Sequence, residues 1–369
     1  MDKLRYFSRK RFSVTPNWNV LLFGVFLFLS ILGVIITTIF NRNHVGQTVD
    51  CDSSFCLHPQ QSSGKESPLC LGGNLLNKRE YRYVKEARGS YDNSRLISGM
   101  GLCQLLDYTS KQAVNCFDAL YSSLNLNPIN SRSNKNLHFA FVGDSRIRQQ
   151  FFNLLKMIPN YDRKSEPNPL PSGHHGDMKV TSDILRLRLS FQWRPILNDA
   201  VIDTIRQWGT DDQSDRPHFI VIGIAVWHML HSEGANFKLY KEKFKKLAPF
   251  LGILANVSRV IWLNQFPIIE KYGNIDAMNT EIHSGKIHHY NEAELSGNAI
   301  IWDSSNLLVE EYIRGCLLVS ERVQYEAYLF TLPDHSYTDC HDYTHPGYSA
   351  LSQATQLLFN DICNEYIHV

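Results

Sequence analysis

Short apolar runs alternate with helix-spaced apolar residues along the last two-thirds of the chain. The uniformly apolar runs predict strands, and they are Leu137–Val142, Phe219–Val226, Val260–Leu263 and Ala299–Trp302. Leu185–Trp193 alternates apolar and polar residues, which predicts a half-buried strand. Helical spacing follows these strands, at Ile147–Ile158, Phe237–Leu254, Lys286–Leu295 and Gly347–Cys363. Leu102–Leu126 is predicted partly helical, and Asp162–Asp177, with three prolines, is predicted as a loop.

Strands that alternate with helices are typical of a parallel sheet that is covered on both faces. The predicted fold is therefore α/β, a three-layer sandwich around a parallel sheet. Sites in such sheets gather at the carboxyl ends of the strands. Ser145, Trp227, Gln265 and Asp303 each follow a predicted strand, so a pocket is expected at the edge they share.

One segment near the N-terminus differs from the rest of the chain. Residues 20–40 contain no charge, and an apolar stretch of this length is long enough to span a bilayer. Five basic residues precede the segment and only Arg42 follows it closely. The positive-inside rule then predicts a type II signal-anchor in the Golgi or another secretory-pathway membrane. The alternative is a cleaved signal peptide with an unusually long apolar core.

This orientation divides the chain into four parts. Residues 1–19 are a cytosolic tail, 20–40 the transmembrane helix, 41–100 a cysteine-containing luminal stem, and 101–369 the catalytic domain. The eight cysteines all lie beyond the predicted span. An even number of cysteines in an oxidising compartment predicts disulfides, but the sequence does not assign the pairs.

Charge and cysteine spacing exclude several classes of function. The formal net charge is +1, which gives no reason to expect a nucleic-acid partner. The cysteines lack the paired spacing of a zinc site, so no metal is expected. Asn256-Val257-Ser258 is a glycosylation sequon, and Asn256 is a candidate acceptor if this part of the chain is luminal.

The stretch FVGDSRIRQQFFNLL carries the first sign of chemistry. An apolar strand meets Gly143-Asp144-Ser145, and a helical pattern follows at once. A serine on such a turn exposes its hydroxyl beside the N–H groups of a helix start, which can stabilise an oxyanion. Asp and Ser are also common helix caps. The tripeptide alone therefore fits either a nucleophile or a cap.

A serine nucleophile needs a base to accept its proton. Asp342 and His345 lie three residues apart, just before the last predicted helix. That spacing allows Asp342 to orient His345 while the other ring nitrogen faces Ser145. The alternative is a polar loop that simply contains histidines.

Gly143-Asp144-Ser145 followed by Asp342-x-x-His345 resembles the SGNH/GDSL esterase superfamily. A closer resemblance is to the luminal catalytic domain of the sialic-acid O-acetyltransferases, relatives of the fungal capsule O-acetyltransferases. It covers roughly residues 100–369, and it rests on FVGDSRIRQQFF, FQWRP, PHFIVIGIAVW, VIWLNQFP, KIHHYNEA and DYTHPG, in that order. The resemblance implies an SGNH-hydrolase-like form of the predicted sandwich.

The resemblance also implies roles for individual residues. Ser145 would be the acylated nucleophile, His345 the general base and Asp342 the residue that orients His345. The acetyl group would pass from Ser145 to a sugar hydroxyl, in the family that of a sialic acid carried on a nucleotide.

Around this triad, the backbone N–H groups of Ser145 and Arg146 are the candidate oxyanion donors. Gly143 relieves crowding at the turn beside Asp144, and Arg148 either supports the turn or contacts an anionic sugar. The oxyanion asparagine of the broader superfamily is missing after the strand that ends in Gly223-Ile224-Ala225-Val226-Trp227. Gly223 and Trp227 are expected to shape the pocket or simply to pack.

The acetyl donor is a second departure from the family. No bound cofactor is expected, and the acetyl group would derive ultimately from acetyl-CoA. In the family a multi-pass membrane domain follows the catalytic domain, whereas no second apolar span is present here. Either a separate multi-pass membrane protein supplies acetyl groups, or water hydrolyses the acyl-enzyme, or the sequence is a truncated form.

Three functions remain open at this point. The first is a membrane-anchored acetyltransferase acting on a glycan or nucleotide-sugar. The second is a carbohydrate O-acetylesterase that uses the same triad. The third is a catalytically inactive glycan-binding or interaction protein, which the presence of Ser145, Asp342 and His345 together disfavours.

Overall fold

The structure is a computed structural model of the 369-residue chain. It describes residues 67–71, 74–87, 90–124, 136–171, 173, 175–210, 215–230, 236–268, 271–272, 275–276, 281–292, 298–313, 344–346 and 348–364. All of these belong to one compact unit, residues 66–369. The predicted membrane span, residues 20–40, and Asp342 lie outside the described residues. Within the described ranges, no helix is long and apolar enough to cross a bilayer.

A seven-stranded sheet forms the centre of the unit. Its strands are, in spatial order, β12 (Ile300–Trp302), β9 (Arg259–Leu263), β8 (Phe219–Gly223), β4 (Leu137–Gly143), β7 (Leu187–Trp193), β6 (Met178–Ser182) and β5 (Lys164–Glu166). The first five run parallel to one another. β6 and β5 are antiparallel to their neighbours.

The prediction of a wholly parallel sheet is therefore wrong at one edge. The sheet is mixed because only a four-residue turn, 183–186, joins β6 to β7, and so short a connection permits only an antiparallel pair. β5 also lies inside the segment 162–177 that was predicted as a loop. Its three residues are too few to show an alternating pattern.

Two layers of helices cover the sheet. The helices are α1 (Ser110–Ser123), α2 (Ser145–Met157), α3 (Asp199–Trp208), α4 (Phe237–Leu254), α5 (Ser284–Asn291) and α6 (Tyr348–Cys363). Phe139 and Phe141 of β4 pack with α1, α2 and α6. Ala140 and Val142, which point to the opposite face, pack with α3, α4 and α5. The result is an α/β three-layer sandwich in which β4 is buried throughout.

A small antiparallel sheet precedes the sandwich, formed by β1 (Arg82–Lys85), β2 (Tyr91–Ser98) and β3 (Gly101–Gln104). Just before it, the backbone N–H groups of Asn74 and Leu75 donate to the buried Asp361 carboxylate on α6, at 3.1 and 2.9 Å. Arg259 also donates to Asp361, at 2.6 Å. The described part of the predicted stem is thus tied to the last helix. A further antiparallel pair, β10 (Lys271–Tyr272) with β11 (Ile275–Asp276), follows β9.

Two disulfides join segments that are distant in sequence. Cys70 bonds Cys103, and Cys116 on α1 bonds Cys363 at the end of α6. The second bridge spans a sequence separation of 247. Cys51, Cys56, Cys316 and Cys340 lie outside the described residues. The sequence predicted disulfides, and the structure supplies two of the pairings.

Candidate active site

The sequence left open whether the turn between β4 and α2 holds a helix cap or a nucleophile, and the structure assigns the cap to Asp144. Asp144 is the helix cap, because its carboxylate accepts the Arg146 backbone N–H at 3.0 Å. Ser145 is the first helical residue and is partly exposed. With Asp144 capping the helix, the Ser145 hydroxyl is left for another partner.

Glycines make this turn possible, because three segments meet there. A Cβ atom added to Gly143 would lie 2.2 Å from the carbonyl oxygen of Gly223 and 2.6 Å from the Ile147 side chain. A Cβ added to Gly223 would lie 2.7 Å from the same isoleucine. Real Cβ atoms do not come this close to other atoms. The two glycines, which are register partners on β4 and β8, therefore let the strand ends and α2 approach.

His345 supplies the partner of the nucleophile candidate. Its Nε2 lies 2.7 Å from Ser145 Oγ, across a sequence separation of 200 residues. This distance is within hydrogen-bonding range for a serine and a base. The structure thus brings Ser145 and His345 together, whereas Asp342, the predicted third member, lies outside the described residues.

The Arg146 side chain fixes the segment that presents His345. It is buried, and its Nε and a terminal nitrogen donate to the carbonyl oxygen of Thr344, at 3.1 and 2.6 Å. The other terminal nitrogen donates to the Phe266 carbonyl at 2.8 Å and lies 3.4 Å from Gln265 Oε1. This side-chain role was not predicted, since nothing in the sequence marks an arginine next to a serine as buried.

The Arg146 backbone N–H was also predicted as an oxyanion donor. Here it already donates to the Asp144 carboxylate. Of the two predicted oxyanion donors, Ser145 and Arg146, the backbone N–H of Ser145 therefore remains the candidate.

Burial and charge act against each other at Asp144. The carboxyl is fully buried, and this burial raises its pKa above the ordinary value, although the positive charge of Arg146 acts in the opposite direction. Burial lowers the pKa of Arg148, and the negative charge of Asp144 raises it. The pKa values of Asp144 and Arg148, on either side of Ser145, therefore depend on burial and on neighbouring charges.

Aromatic side chains at the end of β7 and beyond the end of β8 contact one another. We call Trp193, Trp227 and His175 the aromatic wall. The ring centroids of Trp193 and His175 are 4.4 Å apart and stacked, and the Trp227 ring stands perpendicular to Trp193 at 5.8 Å. The Arg148 guanidinium lies 5.6 Å from the Trp193 ring centroid. Trp227 and Arg148 were predicted pocket residues. Trp193 was missed, although it ends a predicted strand at the same sheet edge.

The other residues of this edge have structural partners. The Gln265 N–H donates to Asn291 Oδ1 at 2.7 Å, and its side chain faces Arg146. Asp303 accepts the backbone N–H of Lys78 at 2.8 Å. Gln265 and Asp303 lie at the carboxyl-end edge of the sheet, as predicted. Their hydrogen bonds, however, are to neighbouring segments of the chain. Among the described residues, no group of three or more His, Cys, Asp or Glu side chains is placed to hold a metal ion.

Asn256 lies away from the nucleophile, in the turn after α4. Its side chain is exposed, and its Oδ1 accepts the Asn298 amide at 3.0 Å. The Ser258 hydroxyl of the same sequon is buried and donates to the Pro217 carbonyl at 2.7 Å. Exposure of Asn256 is compatible with glycosylation, which stays a prediction.

A serine at the end of a central strand, bonded to a histidine before the last helix, is the arrangement that the SGNH/GDSL resemblance implied. The comparison with curated proteins agrees with this class. The chain is similar to N-acetylneuraminate (7)9-O-acetyltransferase of Danio rerio, with 31% identity over 159 residues. The match confirms the resemblance to the sialic-acid O-acetyltransferases. It covers 42% of this chain and 19% of that protein.

Solved structures give more distant likenesses, and no protein-family model matches the chain. A peptidoglycan O-acetylesterase shares 8% identity at a TM-score of 0.35, covering 69% of this chain and 96% of the other. A protein described as a GDSL-like lipase from Parabacteroides merdae shares 13% identity at a TM-score of 0.29, covering 62% and 96%. Nothing about activity follows from likenesses at these scores.

Proposed function

We propose that this protein is a membrane-anchored luminal serine acyltransferase that O-acetylates a glycan or sialic acid. The observation that carries the proposal is the 2.7 Å contact between Ser145 Oγ and His345 Nε2. The similarity to a sialate O-acetyltransferase supports acetyl as the group and a sugar as the acceptor. Both catalytic atoms lie at the sheet edge where α/β enzymes place their sites.

The first half of the reaction forms an acetyl-enzyme. With neutral His345 accepting at Nε2, the Ser145 hydroxyl donates its proton to the imidazole as its oxygen attacks the carbonyl carbon of an acetyl ester or thioester. The Ser145 N–H and the N-terminal end of the α2 dipole face the developing oxyanion. The imidazolium then returns the proton to the leaving alcohol or thiol. A Ser145 Oγ–C bond has formed, and the donor's bond to the acetyl carbon has broken.

The second half transfers the acetyl group. His345 accepts the proton of an acceptor hydroxyl, whose oxygen attacks the acetyl carbon. The Ser145 Oγ–C bond then breaks, and the imidazolium protonates Oγ. In this scheme Asp342 orients His345 and stabilises its charged form. If water is the attacking group, the same steps make an esterase.

The proposal includes a setting in the cell. The span at residues 20–40 would anchor the protein in a Golgi or other secretory-pathway membrane, with the described unit in the lumen. Two disulfides in that unit are in keeping with an oxidising compartment. A separate multi-pass membrane protein would supply acetyl groups that derive from acetyl-CoA.

Intact mass of the full-length chain, purified in detergent and exposed to p-nitrophenyl acetate, tests the proposal. We expect the unaltered chain to gain one acetyl group, Ser145→Ala to gain none, and Ser122→Ala, which removes an exposed hydroxyl on α1, to gain as much as the unaltered chain. Acetylation of Ser145→Ala at the same rate would refute the mechanism. Adding N-acetylneuraminic acid then separates transferase from esterase, because only a transferase yields the acetylated sugar.

A further inference from the structure

The hairpin that joins β2 to β3 carries apolar side chains on its outer surface. Ile97 and Leu102 are register partners on the two strands, and Met100 lies in the turn between them. The three residues are 51%, 37% and 88% exposed, respectively. We call them the apolar hairpin. A single exposed apolar residue is common on protein surfaces, but several side by side mark a surface that binds another molecule.

The core of the unit does not require the apolar hairpin. Side chains alternate between the two faces of a strand, and the other face of the small sheet supplies the buried residues Tyr83, Leu96 and Cys103. Ile97 and Leu102 therefore face away from that core. A methionine at the tip of the hairpin is unusual as well, because turns normally carry glycine or short polar residues.

The small sheet is also where the chain that follows the predicted membrane span enters the described unit. Leu69 forms a parallel bridge with Gln104 of β3, and Cys70 is bonded to Cys103 of the same strand. The predicted span ends at residue 40, and residues 41–68 can extend over about 95 Å at most. A bilayer that holds the span is therefore within reach of this sheet.

A positive charge borders the apolar hairpin. Arg82 of β1 is the register partner of Ile97 and is exposed. Its Nε donates to the Lys78 carbonyl at 3.2 Å, and no carboxylate within the described ranges pairs with its charge. Apolar side chains next to an arginine are typical of segments that lie in a membrane interface, where the apolar groups enter the acyl region and the cation meets lipid phosphates.

We propose that the apolar hairpin docks on the lipid bilayer, with Met100 entering the acyl region and Arg82 at the level of the lipid phosphates. Removal of the three apolar side chains from water drives the contact. The anchor makes the contact intramolecular, so that even a weak affinity keeps the hairpin docked. The inference goes beyond the chemistry of the proposed function and rests on it only for the anchor at residues 20–40. Docking would hold the unit against the bilayer, where a multi-pass acetyl supplier would also lie.

Photo-crosslinking of the full-length chain in phosphatidylcholine–phosphatidylserine vesicles tests the contact. We expect Met100→p-benzoylphenylalanine to gain the mass of one lipid on illumination. Ile253→p-benzoylphenylalanine is the matched control and should gain none, because Ile253 is as exposed as Ile97, at 52%, but lies on α4, in the helix layer that covers the other face of the main sheet.

Charged substitutions give a second comparison. Ile97→Asp together with Leu102→Asp should lower the lipid adduct at position 100 about tenfold, since the apolar groups no longer leave water on docking. Ile253→Asp should leave that adduct unchanged. Thermal unfolding of each variant checks that the fold is intact. If the double variant unfolds, the comparison of positions 100 and 253 in the otherwise unaltered chain still decides the matter.

Lipid adducts at both positions, lipid adducts at neither, or a crosslink from position 100 to protein would overturn the inference. An alkaline carbonate wash of the same vesicles separates this outcome from failure of the anchor. A chain that forms the lipid adduct but is removed by the wash when not illuminated lacks the anchor and keeps the hairpin contact. A chain that resists the wash and forms no adduct has the anchor, and the hairpin inference fails alone. Acetylation of Ser145 is measured separately, so a failure of the proposed chemistry does not affect this test.

Discussion

Arg146 brings a positive charge into the interior, and two backbone carbonyls and the Gln265 side chain surround its guanidinium. One of the carbonyls belongs to Thr344, the residue before His345. The guanidinium thus sets where the imidazole stands relative to Ser145, by holding the residue before it. Arg146 is in this sense a positioning residue.

Replacing Arg146 by lysine should therefore slow acetylation of Ser145 by about a hundredfold, since displacements near 1 Å cost that much. A lysine ammonium keeps the charge but cannot span the carbonyls of Thr344 and Phe266 together. The expected signature in stopped-flow acetylation with p-nitrophenyl acetate is a lower maximal rate at an unchanged half-saturating concentration.

Arg259→Lys is the control for this prediction. Arg259 also binds a group near the C-terminal end, the buried Asp361 carboxylate at 2.6 Å, but on the side of the unit where Asn74 and Leu75 bind. It should lower the thermal unfolding temperature without slowing acetylation. Equal slowing in both variants would mean that Arg146 acts only through stability.

His228, next to Trp227, gives the fold a dependence on pH. Its Nε2 accepts the Leu197 N–H at 2.8 Å, and burial lowers its pKa to about 4, below the ordinary value of about 6.5. The unfolded chain therefore binds a proton more readily than the folded protein does. The stability due to neutral His228 is present above about pH 6.5 and is lost as pH falls towards 4.

His228→Gln, which keeps an acceptor for Leu197, should reduce the loss of unfolding free energy between pH 7 and 4.5 by about 2.5 kcal/mol. Urea unfolding at the two pH values measures this difference. His288→Gln, at a side chain that is 81% exposed, should leave the loss unchanged. A His228→Gln protein that is as acid-sensitive as its parent would contradict the assignment.

Single residues are where prediction from the sequence was most uneven. Ser145 and His345 were predicted from the combination of Gly143-Asp144-Ser145 with Asp342-x-x-His345, and the structure brings these two side chains together. The burial of Arg146 and the ring contacts of Trp193 were not predicted, because a buried arginine and a tryptophan at a strand end look in sequence like any other polar or strand residue. Their roles follow from contacts with residues more than 30 positions away.

At the scale of elements, the close approach of β4, β8 and α2 decides how the Ser145 side chain is presented. A methyl group at Gly143 would push against the Gly223 carbonyl, which belongs to a central strand and cannot move aside cheaply. Gly143→Ala should therefore cost about 1–3 kcal/mol of stability, as overpacking does, and should greatly reduce acetylation of Ser145. Gly173→Ala, where an added Cβ meets nothing within 4 Å, should do neither. Paired unfolding and acetylation measurements on the two variants decide the point.

The elements themselves were largely readable, because strands buried on both faces leave uniform apolar runs. α4 was predicted with its observed bounds, Phe237–Leu254. α3 was missed, although Asn198 caps it and accepts the Val201 N–H at 3.1 Å, since its ten residues carry a short apolar pattern. β1, β2 and β3 were missed because only three of their sixteen residues are buried, Tyr83, Leu96 and Cys103. The register of the strands could not be read, because it depends on partners that are far apart in sequence.

For the whole molecule, the bridge between Cys116 and Cys363 should contribute more stability than the one between Cys70 and Cys103. In the chain-entropy description, the longer closed segment restricts the unfolded chain more, by about 2 kcal/mol for separations of 247 and 33. We therefore expect Cys116→Ser/Cys363→Ser to lower the unfolding free energy further than Cys70→Ser/Cys103→Ser. Urea unfolding without reductant tests this order. Equal losses would show that strain or residual structure, rather than loop length, governs both bridges.

The contact between Asp361 and the backbone of Asn74 and Leu75 bears on how the chain is made. The partners are 286 residues apart, and a ribosome takes on the order of half a minute to add that many. Until α6 is made, α1 and the α2 face of β4 lack the helix that covers them, and Cys116 lacks the cysteine that it bonds in the folded unit. The Ser145 hydroxyl likewise has no histidine beside it. Translation therefore delivers the closing helix and His345 together, so that the nascent unit gains its fold and the contact between Ser145 and His345 at nearly the same moment.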